Sequence, residues 1–349
     1  MNKIKKILLV ISLIIPTLGY CGLMDWLTGY PEVKAKIEQR LEQKYQGDKF
    51  EVSGVSYSDN LGGYNFKYKP EDTDYTYKGS YIVDKDILSA NSYMRTQVSN
   101  QWIGVFQSDV DKVSENNLIF GSLNSRSPYQ FEKMKVNLEK KTLEDLYSMN
   151  SVDINKWIVE DHNTIAGSIT LFISMPRTAE SVYKTLKLIE QVNSKLRTYN
   201  FYSYKLEVIL YDVPQGFNID KFYNKVSPSF STSHGWWFEE GIQKYAWGYL
   251  QIKSCAKISE FEKSCNSFKD RKTGEIALDL IKSYSTADRI NNLNDIADNF
   301  KLVDKFGVPD KCDPVLGCYG RWDTRSRANI KLQDSKYYSQ LEKEINIAK

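Results

Sequence analysis

Residues 168–211 constrain the fold more than any other stretch of the chain. Ile169, Leu171 and Ile173 recur at every second position, which predicts a strand, and residues 204–211 (YKLEVILY) predict a second one. The residues between them predict a capped helix with apolar side chains at helical spacing, namely Val182, Leu186, Ile189, Val192 and Leu196. This order indicates a crossover between parallel strands or part of a ferredoxin-like α+β sheet. No glycine-rich turn follows the first strand, so a nucleotide-binding fold receives no support.

The periodicity of the whole chain predicts an α+β fold, with helices packed on mainly antiparallel sheets and one strand-helix-strand unit at 168–211. In the N-terminal part it predicts a helix at 31–45, then strands at 50–57, 64–68 and 74–83, with a bulge at Gly54. Further predicted elements are a strand at 157–159 and helices at 92–113, 286–303 and 335–347. We expect two α+β units, at 31–160 and 161–349, with a boundary near residues 160–166.

Residues 1–21 have the layout of a secretory signal. Lys3, Lys5 and Lys6 precede a continuous apolar run at 7–15, and Pro16 interrupts it. The run is too short to span a bilayer, which takes roughly 20 residues. We therefore expect export, with residues 22–30 as a tether.

The end of this leader, Leu18-Gly19-Tyr20-Cys21, resembles the lipobox of bacterial exported lipoproteins. The resemblance implies lipidation of Cys21 and a membrane-anchored protein that faces the periplasm or the cell surface. Tyr20 departs from the pattern, which has a small residue before the cysteine. Ordinary cleavage after Gly19 or after Cys21 is the alternative, and it would give a soluble periplasmic or secreted protein.

The charge balance argues against nucleic acid as a partner. The chain has 47 basic and 44 acidic residues, a formal net charge of +3. Removal of Lys3, Lys5 and Lys6 with the leader leaves 44 of each sign and a net charge of zero. Nucleic-acid-binding proteins normally carry an excess of basic residues on one face.

The cysteines predict two disulfides in the C-terminal unit. In an oxidising compartment four cysteines remain once Cys21 is lipidated or removed: Cys255, Cys265, Cys312 and Cys318. Short separations favour pairing within 255/265 and within 312/318, although three pairings are possible. Nine and five residues intervene, which does not match the spacing of zinc ligands, so no metal site is expected.

Residues 234–252 hold the candidate site residues. His234 with Glu239 or Glu240 could act in a hydrolase, although the metalloprotease motif His-Glu-x-x-His is absent. The candidate binding residues are aromatic: Trp236, Trp237, Tyr245 and Trp247. A core strand rich in aromatic residues explains the same stretch without any site.

Tyrosines alternate along the predicted N-terminal strands at positions 57, 64, 68, 75, 77 and 81. Such a ladder is ordinary packing on a half-buried sheet, or a binding surface if one face is exposed.

Two functions from different classes fit these observations. The first is a non-catalytic binding or protective role in the cell envelope, with an unknown envelope protein or glycan as partner and no cofactor. The second is an envelope hydrolase that acts on glycan or peptide around His234 and Glu239 or Glu240.

Metabolic labelling with a fatty acid will tag the wild-type protein and leave Cys21→Ser unlabelled, because the Cys21 thiol is the acceptor of the lipid. Equal labelling of both proteins, or of neither, would contradict the lipid anchor.

Overall fold

The computed structural model describes residues 29–71, 75–125, 153–158, 165–199, 201, 203–219, 242–255, 287–304 and 327–347. The chain divides into two compact units, one of residues 1–95 with 147–151 and one of residues 96–146 with 152–349. Helices and two mainly antiparallel sheets confirm the predicted α+β fold. No helix of the described ranges is long and apolar enough to cross a membrane.

The first unit is a helix followed by an antiparallel meander. Helix α1 (Pro31–Lys44) has its proline at the start of the helix and buries Ile37 and Leu41. Strands β1 (Phe50–Ser58), β2 (Gly63–Pro70), β3 (Tyr77–Ile82) and β4 (Ile87–Ser89) pair in chain order. The register of β1 against β2 shifts between Ser53 and Ser56, which confirms the bulge at Gly54. The bulge allows Val52 and Tyr57, five positions apart, to share one face.

That face carries the tyrosine ladder, which forms the core of the first unit. Tyr68, Tyr77 and Tyr81 are buried, whereas Tyr57 at the end of the ladder is exposed. The hydroxyls of Tyr45 and Tyr68 both donate hydrogen bonds to the carbonyl oxygen of Ala90, at 2.5 and 2.7 Å. Burial raises the pKa of Tyr45 and of Tyr68 well above the usual range, because ionisation would place a charge in this apolar core. Its buried members, Tyr68, Tyr77 and Tyr81, are therefore packing, and only the end of the ladder at Tyr57 is exposed.

The second unit is built on a six-stranded sheet in the order β10-β9-β8-β7-β6-β5. Its strands are β5 (Asn117–Ser125), β6 (Ile165–Ser174), β7 (Ser203–Tyr211), β8 (Ala246–Cys255), β9 (Lys301–Val303) and β10 (Ala328–Lys331). Strands β6 and β7 pair parallel, and the other neighbours pair antiparallel. The connection between β6 and β7 includes a long helix, so the predicted strand-helix-strand unit is confirmed.

The remaining helices are α2 (Ser92–Asp111), α3 (Ile154–Trp157), α4 (Ala179–Thr198), α5 (Leu293–Asn299) and α6 (Tyr338–Ile347), with short 3₁₀ turns at Gln243–Tyr245, Ala287–Arg289 and Leu332–Asp334. The first four residues of helix α2, up to Arg95, belong to the first unit. Helix α4, between β6 and β7, buries the five apolar residues that the helical spacing identifies.

Three features differ from the sequence expectation. The division lies between Arg95 and Thr96, since β5 pairs with β6 and a boundary near residues 160–166 would cut through their sheet. The side chain of Asp153 caps helix α3 where a strand was expected at 157–159. The expected helix at 286–303 is replaced by a 3₁₀ turn, helix α5 and strand β9, because Leu302 pairs with Gly248 of β8.

Glycines in the strands of both sheets leave space for aromatic rings to pack directly against the backbone. A β-carbon added to Gly248 would lie 2.8 Å from Cζ of Phe300, and one added to Gly121 would lie 2.8 Å from Cδ1 of Trp102. Gly79 and Gly167 lie equally close to the rings of Phe66 and Phe201. Glycine is used at these strand positions because each ring takes the space of a side chain.

We expect Gly248→Ala to lower the free energy of unfolding by about 1–3 kcal/mol, since the added methyl group must displace the buried ring of Phe300. Gly104→Ala is the matched control, because Gly104 lies on helix α2 with no atom within 4 Å of an added β-carbon. That control is expected to raise stability by about 0.5–1 kcal/mol. Urea unfolding measures both, and equal effects would contradict the packing of Phe300.

Candidate functional site

Most of the site residues expected from sequence lie outside the described residues. These are the residues at positions 21, 234, 236, 237, 239, 240, 265, 312 and 318, together with the leader and the tether up to residue 28. The backbone of Cys255 ends strand β8, and its side chain is likewise outside the description. The lipidation, the disulfides and the hydrolase residues therefore stay predictions.

The two described candidates, Tyr245 and Trp247, differ in accessibility. Trp247 is 1% exposed, and its Nε1 donates a hydrogen bond to the carbonyl oxygen of Met175 at 3.1 Å. Tyr245 is half-buried, with its ring 6.4 Å from that of Phe217 and with Nζ of Lys244 4.9 Å from its centroid. The burial of Trp247 favours the core interpretation at that position.

The six-stranded sheet has one apolar face and one divided face. On the apolar face Ile169, Leu206 and Ile252 are neighbours, and the ring of Trp102 lies over Gly121. The other face is apolar toward the carboxyl ends of β6 and β7, where Phe172, Ile209, Tyr249 and other buried residues form one cluster. Toward their amino ends the same face becomes polar.

We call this polar region the polar patch, and it consists of Ser122, Ser168, Thr170, Lys205, Glu207 and Gln251. The strand register aligns its members in two rows. Thr170 lies opposite Glu207, which lies opposite Gln251, and Ser122 lies opposite Ser168, which lies opposite Lys205. Side chains at paired positions share one face of a sheet, so the six form a continuous surface.

Glu207 is the most highly connected residue of the polar patch. Its Oε1 accepts hydrogen bonds from the Tyr249 hydroxyl at 2.7 Å and from Nε2 of Gln251 at 3.2 Å. Its Oε2 pairs with Nζ of Lys205. The side chain of Glu207 is 15% exposed and that of Lys205 is 30% exposed, so water screens the pair only partly. These contacts hold the carboxylate in one orientation.

The hydroxyl groups of the patch fall into two groups. The Oγ atoms of Ser122 and Ser168 lie 2.8 Å apart in a mutual hydrogen bond, and Nδ2 of Asn124 donates to Ser122 Oγ at 3.1 Å. Thr170 is only 3% exposed, and its Oγ1 has no hydrogen-bond partner in the part of the chain that the structure describes. One hydroxyl thus lies unpaired beside a fixed carboxylate.

The polar patch offers donors and acceptors on a rigid sheet. Glu207 is its single carboxylate, with an ammonium group beside it, which is a poor environment for a cation. Elsewhere in the described ranges, no group of three His, Cys, Asp or Glu side chains is arranged to hold a metal ion. The arrangement is suited to hydrogen bonding with a ligand.

Sequence reasoning located the strands of the patch but not the patch itself. Lys205 and Glu207 stand two positions apart in an otherwise apolar strand, which places both on one face. That spacing is also typical of an ordinary solvent-facing strand. The low exposure of the pair and the unpaired Thr170 hydroxyl depend on neighbours that are distant in sequence.

No protein-family model, no curated protein and no solved structure matches the chain. Its function has to be inferred from its own residues.

A double-mutant cycle with Lys205→Met and Glu207→Gln is expected to show a coupling of about 1–3 kcal/mol in the free energy of unfolding, because the pair is largely shielded from water. Lys184 and Glu180 form the control pair, with side chains 52% and 74% exposed. Their cycle is expected to give a smaller coupling. Comparable couplings for both pairs would contradict the shielding of Glu207.

Proposed function

We propose that the protein is an exported, lipid-anchored component of the bacterial cell envelope with a non-catalytic binding role. Its binding site is the polar patch, and the ligand is a neutral unit rich in hydroxyl groups, such as a sugar residue of an envelope glycan. Export is supported by the basic and apolar leader, and anchoring by the likeness of residues 18–21 to a lipobox.

The observation that carries the binding role is the buried, unpaired hydroxyl of Thr170. Buried polar groups in native proteins are nearly always hydrogen-bonded, since an unmade bond costs about 1–3 kcal/mol. A ligand hydroxyl can both donate to and accept from Oγ1. Its arrival would satisfy a group that the described chain leaves without a partner.

The connections of Glu207 support binding over catalysis. A general base must direct a free lone pair at the proton that it abstracts. Tyr249, Gln251 and Lys205 already donate to the two oxygens of Glu207. A carboxylate restrained in this way is suited to orienting a ligand rather than to exchanging protons with it.

The charge and size of the site narrow the ligand class. The ammonium group of Lys205 balances the carboxylate of Glu207, and Lys253 lies directly opposite Lys205 on the same face, so the patch does not attract a cation. Ser122, Thr170 and Tyr249 are each less than 10% exposed, which restricts access to a narrow group. A single sugar unit or the end of a glycan chain meets both conditions better than a folded partner does.

The test is Thr170→Val, which removes the hydroxyl and keeps the shape of the side chain. We expect the free energy of unfolding to rise by about 1 kcal/mol and the affinity for sugar to fall about tenfold, because the lost hydroxyl is unpaired in the free protein and paired in the complex. Chemical denaturation measures stability. Titration calorimetry with N-acetylglucosamine and with muropeptides from digested sacculi measures binding.

Thr185→Val provides the matched control. The buried hydroxyl of Thr185 on helix α4 donates to the carbonyl oxygen of Ser181 at 2.7 Å. This variant is expected to lose about 1 kcal/mol of stability and to bind the sugar as the wild type does. A wild-type protein that binds neither probe, or a Thr170→Val protein of unchanged affinity, would contradict the proposal.

The alternative envelope hydrolase makes a different prediction for the same probes. Cleavage of muropeptides by the wild type but not by Glu239→Gln or Glu240→Gln would overturn the non-catalytic role.

A further inference from the structure

The large exposed hydrophobic side chains of the described residues are all in the first unit. They are Tyr57, Val83 and Ile87, which are 52%, 36% and 50% exposed. Strand β1 ends at Ser58 and β2 begins at Gly63, and β3 ends at Ile82 beside Ile87 of β4. Because Tyr64 of β2 pairs with Tyr81 of β3, both hairpin turns emerge at the same end of the sheet. Exposed apolar side chains concentrated at one end of a sheet are typical of an interaction site.

The N-terminal tether arrives at the same end. The ring of Tyr30, just before helix α1, lies 5.1 Å from that of Tyr64, which lies 5.3 Å from that of Tyr57. Tyr30 is nine positions after Cys21, a reach of at most about 30 Å. The tether is also apolar for a linker, with Leu23, Met24, Trp26 and Leu27. Its length keeps this end of the unit within that distance of any lipid on Cys21.

Side-chain contacts of Asp86 hold in place the hairpin that carries Val83 and Ile87. Asp86 has a φ of 51°, in the left-handed region, and its Oδ1 accepts a hydrogen bond from the Tyr81 hydroxyl at 2.7 Å. Its Oδ2 pairs with Nη2 of Arg40 at 2.6 Å. These contacts fix the turn and neutralise Asp86. Asp59, Asp84 and Lys85 are the other charged residues of the two turns, so this end has no excess of positive charge.

We propose that this end, which we call the hairpin end and define as Tyr30, Tyr57, Tyr64, Val83 and Ile87, docks on the surface of a lipid bilayer. Tyrosines are favoured at the level of the lipid headgroups. Aliphatic side chains lower their free energy when they enter the boundary between the headgroups and the acyl chains. Since the hairpin end is not cationic, apolar contact drives the docking and anionic lipid is not needed. The proposal rests on the proposed export only in requiring a membrane outside the cytoplasm.

The test uses the chain from Gly22 onward, which contains every described residue and lacks both the leader and Cys21. Flotation with vesicles of phosphatidylcholine, and with vesicles that also contain phosphatidylglycerol, measures partition into the membrane. We expect binding to both vesicles. The triple variant Tyr57→Ser, Val83→Ser and Ile87→Ser is expected to reduce partition about tenfold or more. The side chains are exposed, and an unchanged circular dichroism spectrum and thermal midpoint will show that the variant folds.

The matched control replaces two exposed lysines that lie toward the other end of the same sheet. Lys67 and Lys78 lie directly opposite each other on β2 and β3, and Lys67→Ser with Lys78→Ser is expected to leave partition unchanged. Binding that requires phosphatidylglycerol, or that is lost in the lysine variant and kept in the triple variant, would overturn the proposal. Dimers that depend on the three hydrophobic residues, without vesicle binding, would also overturn it and identify a second copy as the occupant. Because Cys21 is absent throughout, failure of lipidation cannot affect these outcomes.

Discussion

The parallel pairing of β6 with β7 is the contact on which the second unit depends. Nine consecutive positions pair, from Ala166 with Ser203 to Ser174 with Tyr211. Parallel neighbours require a crossover, and helix α4 supplies it with an apolar stripe that is buried along its whole length. The same register that aligns Ile169 with Leu206 on the helix-covered face aligns Thr170 with Glu207 on the other. A slip of one residue would bring polar side chains under the helices and remove the polar patch.

The polar patch, which we propose as the binding site, includes a feature that lowers the stability of the free protein. Both oxygens of its carboxylate are engaged, with Tyr249 and Gln251 on one and Lys205 on the other. The buried hydroxyl of Thr170, one strand away, has no hydrogen-bond partner among the described residues. A core selected only for stability would place valine there, since valine has the same shape and no polar group to satisfy. The coexistence of a satisfied carboxylate with an unsatisfied hydroxyl is what we attribute to ligand binding.

The first unit differs from the second in having a core built largely from tyrosine. Each buried tyrosine brings a hydroxyl that needs a partner, and Tyr45 and Tyr68 share the carbonyl oxygen of Ala90 for this purpose. Phe50 and Tyr93 complete the cluster by edge contacts. The ladder ends at Tyr57, where the same residue type passes from core to surface.

The local sequence pattern determined much of the fold. Periodicities of two and 3.6 residues predict the alternation of Ile169, Leu171 and Ile173, the apolar stripe of α4 and the bulge at Gly54, because they depend only on residues that are close in sequence. Pairing between distant segments determined the rest. Phe300 fits the helical spacing of residues 286–303, yet its ring fills the space over Gly248 while Leu302 joins the sheet. Thr170 and Glu207 are 37 positions apart in sequence, and only the register of β6 against β7 makes them neighbours. Burial and strand register are properties of the assembled sheet, and for this reason the polar patch could not be identified from sequence spacing alone.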